Sequence, residues 1–91
     1  MIISTLSEYP GFQITEVLSV IADYDKEFRP GRNIYTLQEC LNNAFRRLEK
    51  QAENLGANAI LGVGIAYSGT NQIPIVYGTA VKMVKQSDHQ N

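Results

Sequence analysis

The sequence predicts a two-layer α+β fold in the order β-β-α-β-β, an antiparallel sheet packed against one long amphipathic helix. Three observations carry that expectation. A single stretch, residues 36–55, has helical period. Runs rich in β-branched and aromatic residues lie on both sides of it. Pro10-Gly11 and Pro30-Gly31 mark turns, since Pro presets φ for the second turn position and Gly accepts the positive φ of the third.

The first strand is expected in residues 2–6 and the second, beyond the Tyr9-Pro10-Gly11 turn, in residues 12–24. Alternation in the second is imperfect. Phe12, Ile14, Leu18, Val20 and Ala22 share one parity, Glu16 interrupts it, and Val17 and Ile21 lie on the other, so a bulge or burial on both faces is implied. Residues 23–29, with Asp23, Asp25 and Glu27 interleaved by Lys26 and Arg29, read as a solvated strand end or loop.

In the helix, Leu37, Leu41, Ala44, Leu48, Ala52 and Leu55 fall on one stripe at 100° per residue, and Glu39, Arg46, Lys50 and Glu53 lie opposite, toward water. Thr36 and Glu39 have the spacing of a capping box, Tyr35 and Cys40 that of a hydrophobic staple, and Gly56 is placed to end the helix. Two more strands follow, in residues 57–67 and 73–84, joined by a hairpin connection at 68–72. In both, the odd positions carry the bulk (Leu61, Val63, Ile65, Tyr67; Ile75, Tyr77, Val81, Met83) and the even positions are mostly small. The helix is therefore expected over the odd face. Residues 1–85 make one domain and 86–91 a polar tail.

One helix covers one side of a sheet. The other side would present Ile60, Gly62, Gly64, Ala66, Val76, Gly78, Ala80 and Val84, with Lys82 its only charge. Small residues allow another backbone to approach closely, so this face is the expected contact between subunits of a homo-oligomer.

Composition narrows the function. The 91 residues are 44% hydrophobic and 19% charged with a net charge of −1, so no general positive field attracts nucleic acid or anionic lipid. No apolar stretch approaches the roughly 18 residues of a membrane span, and the start lacks the pattern of a secretory signal. One cysteine rules out an intrachain disulfide and fits a reducing compartment; a cytoplasmic location is expected.

There is no CxxC pair, no HExxH and no phosphate loop, and a non-enzymatic role is expected. Cys40, beside the helix cap, is the candidate metal ligand, against its reading as a small buried hydrophobe. His89 is the one imidazole and lies in the polar tail. Arg32 and Asn33, in the loop before the helix, are the candidate small-ligand contacts. No cofactor is specified: a metal ion would need more ligands than one chain clusters here, which an oligomer can assemble from several subunits.

Leu55-Gly56-Ala57-Asn58-Ala59-Ile60-Leu61-Gly62-Val63, then Tyr67 and Tyr77-Gly78-Thr79-Ala80-Val81, together with Ile14-Thr15-Glu16 and Gly31-Arg32-Asn33-Ile34, resemble the YbjQ-like family, which is labelled heavy-metal-binding. The resemblance covers most of the chain and implies a small α/β subunit, a single YbjQ-like domain over residues 1–85, that assembles into rings, typically pentamers. It implies no established reaction. Against the family pattern, the loop between Asn33 and the helix is short, and Gly64 and Ala66 stand where many members carry acids. A ring that is structural or binds other proteins, without a small ligand, is the alternative; an enzyme with a site shared between subunits is the third reading.

Overall fold

The computed structural model describes residues 1–26, 36–67, 69 and 73–86. Strand β1 is Ile2–Ile3, β2 Phe12–Tyr24, helix α1 Leu37–Asn54, β3 Ala59–Tyr67 and β4 Pro74–Lys85. The four strands form one sheet in the order β1-β3-β4-β2. This is the expected α+β order, but the sheet is mixed: β2 and β3 each run antiparallel to β4, while β1 is parallel to β3.

The expectation of a wholly antiparallel sheet fails at the N-terminus, for a local reason. The Tyr9-Pro10-Gly11 turn is present, with the Phe12 N–H donating to Tyr9 O at 3.0 Å. It does not fold β1 back on β2. The chain instead crosses from one edge of the sheet to the other, laying Ile2, Tyr9 and Phe12 against Ala59, Leu61, Val81 and Met83. Tyr9 and Phe12 meet edge to face with centroids 5.5 Å apart.

Helix α1 begins and ends as its sequence dictates. Thr36 Oγ1 accepts from the Glu39 N–H at 3.2 Å, and the Glu39 carboxylate accepts from the Thr36 N–H at 2.7 Å, closing the capping box. At the other end the Gly56 N–H donates to Glu53 O and the Ala57 N–H to Ala52 O, the paired bonds of a Schellman motif. Asn58 then clamps the chain to β4, its amide donating to Met83 O at 2.8 Å and accepting from the Met83 N–H at 2.9 Å. The buried stripe is Cys40, Ala44, Leu48 and Ala52. Leu37 and Leu55, expected at the ends of that stripe, are largely exposed, because the helix meets the sheet along its middle turns. Tyr35, the other half of the expected staple, lies outside the described residues.

The face that α1 covers is the reverse of the one expected. Ala44, Leu48 and Ala52 pack on Ile21, Ile60, Val76 and Ala80. Small side chains on strand and helix together permit close approach, and here the approaching backbone is the helix of the same chain. Ile60, Val76 and Ala80 are fully buried and Gly78 is buried with them, so these four candidate interface residues belong to the subunit's own core.

A bulge shifts the remainder. β3 pairs Leu61 with Thr79 but Gly64 with Tyr77, the extra residue being taken up around Gly62 at φ +63°. Beyond it Val63 joins the helix side, while Gly64 and Ala66 lie opposite Tyr77 and Ile75 on the far face.

The molecule is long: 58 × 20 × 19 Å, with a radius of gyration of 15.3 Å against about 12 Å for a compact chain of this size. Its accessible surface of 6008 Å² exceeds the roughly 5,300 Å² expected of a monomer of this mass. The sheet outruns its helix, and Ile65 and Tyr67 stay exposed at the far end of β3.

Two substitutions test this packing. A Cβ at position 78 would lie 2.6 Å from Ile60 Cγ2 and 3.2 Å from the Leu61 carbonyl oxygen, so Gly78→Ala should destabilise the fold by about 1–3 kcal/mol in urea denaturation. Asn58→Ala strands the Met83 backbone groups and should cost about 1–3 kcal/mol; an unchanged midpoint in either variant contradicts the packing described.

Candidate functional site

Among the described residues, two surfaces outside the core bring together side chains of matching character, apart from a hollow of about 330 Å³ around the Tyr9-Pro10-Gly11 turn. The first is the sheet face away from α1. Its lower end is covered by the N-terminal segment, but its middle is open. Val17, Val20 and Tyr24 on β2, Ile75 and Tyr77 on β4, and Gly64 on β3 line it, with Val17 64% and Val20 76% exposed. The Tyr77 ring lies directly over Gly64, where any side chain would collide with it. A contiguous apolar face of this kind is characteristic of a surface made to be covered.

The second is a polar seam where the end of β2 meets the outer flank of α1. Helical spacing brings Asn43, Arg46, Arg47, Lys50 and Gln51 along one side of the helix, and β2 delivers Asp23 and Asp25 to them. Asp25 is 4% exposed, contrary to the solvated reading of this segment. Asn43 Nδ2 donates to Asp25 Oδ2 at 3.0 Å, and Arg46 Nη2 in turn donates to Asn43 Oδ1. Asp23 Oδ1 accepts from the Tyr24 N–H at 2.9 Å and pairs with Arg47 Nε at 3.4 Å, and its Oδ2 accepts from Gln51 Nε2 at 3.1 Å. Gln51 Nε2 also donates to Ala22 O at 3.1 Å, tying the helix to the strand edge. Arg46 and Lys50 are exposed as expected, and they border a shallow, open depression that Asp25, Asn43 and Arg47 also line.

Cys40 is fully buried, and its thiol is pushed above the usual range, first by loss of solvent and then by the negative charge of Asp25. The neutral thiol is the stable form at physiological pH, so the environment opposes the thiolate that a metal ion requires. Among the described residues no three His, Cys, Asp or Glu side chains come together as a metal-binding group. Arg32 and Asn33, like His89, lie outside the described residues. Of the candidate interface positions, Gly64 and Ala66 lie on the open face and Gly62 is exposed at the bulge.

Asp23 and Asp25, read from the sequence as part of a solvated strand end, were not legible as a site. The only sequence signal was that two acids at a strand end precede a helix carrying Asn, Arg and Lys at spacings of three and four. No described helix is long and apolar enough to cross a membrane.

Residues 29–84 match a sequence model of the YbjQ type described as "Putative heavy-metal-binding". A UPF0145 protein of Thermotoga maritima is 35% identical over 106 residues, covering 93% of this chain and 99% of the relative. UPF0145 proteins of Methanoculleus marisnigri, at 33% identity, and Thermus thermophilus, at 32%, cover 92% and 91% of the chain and 97% and 90% of their own lengths. Since the first alignment spans 106 positions and this chain has 91, the relatives carry residues that this chain lacks. A crystal structure of a protein of unknown function from Pediococcus pentosaceus, of the DUF74 family, aligns over 94% of this chain and 98% of its own at 20% identity, with a TM-score of 0.46. By the match across most of its length and by relatives above 30% identity that it spans almost end to end, the chain belongs to the YbjQ-like family of uncharacterised UPF0145 proteins.

Proposed function

We propose that the protein is a non-enzymatic, cytoplasmic subunit of a closed homo-oligomer, five copies in the order the family resemblance implies, assembled through the open sheet face. A metal ion, where one binds, takes ligands from more than one subunit. The observation that carries the reading is the run of exposed valine and tyrosine on β2 and β4, which a lone subunit would leave in water. A second copy is an occupant of matching chemistry, and burying the face takes its exposed valine and tyrosine side chains out of water.

A ring without a small ligand is the second reading. It is favoured by the buried, neutral thiol of Cys40, the residue best suited by type to a soft metal.

Light scattering should give a mass several times the 10.1 kDa of one chain, and Val20→Glu should shift the population to that of one chain while leaving subunit stability within about 0.5 kcal/mol. A monomeric unaltered protein refutes assembly, and an unshifted Val20→Glu variant refutes this face. For Cys40, thiol reagents at neutral pH should react at least tenfold more slowly with the folded protein than in urea. Zinc or cadmium added at equimolar concentration should leave that native rate unchanged, whereas protection that depends on the metal would place Cys40 in a metal site.

A further inference from the structure

We propose that the polar seam beside α1 binds a small dianion of the phosphate class, held by Arg46, Arg47 and Lys50. The carboxylates of the seam are spent inward. Asp25 is buried and receives Asn43, and Asp23 is saturated by the Tyr24 N–H, Gln51 and Arg47.

Their effect is to fix the cations. Asp25 orients Asn43, whose oxygen receives one Nη of Arg46, and Asp23 receives Arg47 through Nε, leaving both Arg47 Nη groups without a bond among the described residues. Lys50 forms no ion pair among the described residues. Arg47 held by Asp23 and Arg46 held by the Asn43 amide oxygen, with the Lys50 ammonium one turn on, gather three cations on one flank, and the two guanidiniums give up part of their side-chain freedom before an anion arrives.

The shallow depression they border measures about 320 Å³, lined by Asp25, Asn43, Arg46, Arg47 and Lys50, and adjoins a second, equally open one of about 280 Å³ that reaches Gln51 and Asn54. Three cations facing one space oppose a metal ion there. They also favour a tetrahedral dianion, which accepts from several directions, over a carboxylate, which offers one edge. The seam lies on the flank of the helix, away from the open sheet face, so binding and assembly fail independently.

The test is a titration of the arginine side-chain N–H signals of isotope-labelled protein with inorganic phosphate at fixed ionic strength, with glycerol phosphate and acetate as parallel arms. Phosphate or the phosphomonoester should saturate the Arg46 and Arg47 signals, the tighter of the two identifying free phosphate or an esterified metabolite as the source, with acetate at least about tenfold weaker. Arg46→Gln and Lys50→Gln should each weaken binding about tenfold, while Arg46→Lys, which keeps the charge and loses the fork, should fall between. Both side chains are exposed, and an unchanged backbone spectrum certifies the fold of each variant. Absence of saturation, acetate as tight as phosphate, or unchanged affinity in both Gln variants overturns the proposal.

Discussion

The structure depends on a mismatch of length. Eighteen helical residues span about 27 Å, whereas the thirteen residues of β2 span about 43 Å, so α1 can shield little more than half of the sheet it lies on. The opposite face carries no described helix at all. The N-terminal segment crosses the opposite face and closes one end of it, forming a second small core of Ala59, Leu61, Val81 and Met83. The bulge at Gly62 moves Val63 under the helix. What neither device reaches is the middle of the far face and the distal tip of β3, and there the apolar side chains remain open to solvent.

The flank of the helix shows a different economy. Burying a carboxylate such as Asp25 is costly unless polar groups come with it, and the same groups that meet this requirement also organise what lies outside them. Asn43 faces Asp25 with its amide nitrogen and Arg46 with its oxygen, so one neutral side chain transmits the orientation of a buried charge to an exposed one. Loss of solvent disfavours ionisation of Cys40, and the same carboxylate adds to that effect.

Much of this was legible in the sequence, and what was not has identifiable causes. The helix and both its ends could be read because capping and periodicity are local: Thr36, Glu39 and Gly56 act within one turn of their own positions. The irregularity of β2 was also readable from the misplaced parity of Glu16, Val17 and Ile21, and the register shifts between Ile14 and Glu16 and between Val17 and Ser19 are its physical form. The choice of face was not readable from side-chain bulk. Gly78 and Ala80 are small because α1 sits on them, and nothing local separates that demand from the approach of a second subunit. Gly62 deepened the difficulty by changing the parity of β3 partway along. The seam was hidden for a related reason: Asp25 looks solvated beside Lys26, and only the docking of α1 shows that Asn43 meets it.

The parallel pairing of β1 with β3 bears on the order in which the molecule can form during synthesis. Ile2 waits for Ala59, and Phe12 for Lys85, so every strand residue made before the helix finds its partner in the half of the chain made after it. The N-terminal strands leave the ribosome with unpaired backbone edges, apolar side chains and no ladder to join, whereas the caps of α1 act within the helix itself. Contacts this distant in sequence are slow to close and expose aggregation-prone strands meanwhile. Among the described strands, completion of the sheet therefore falls to β4, which follows the others in sequence and joins β3 to β2.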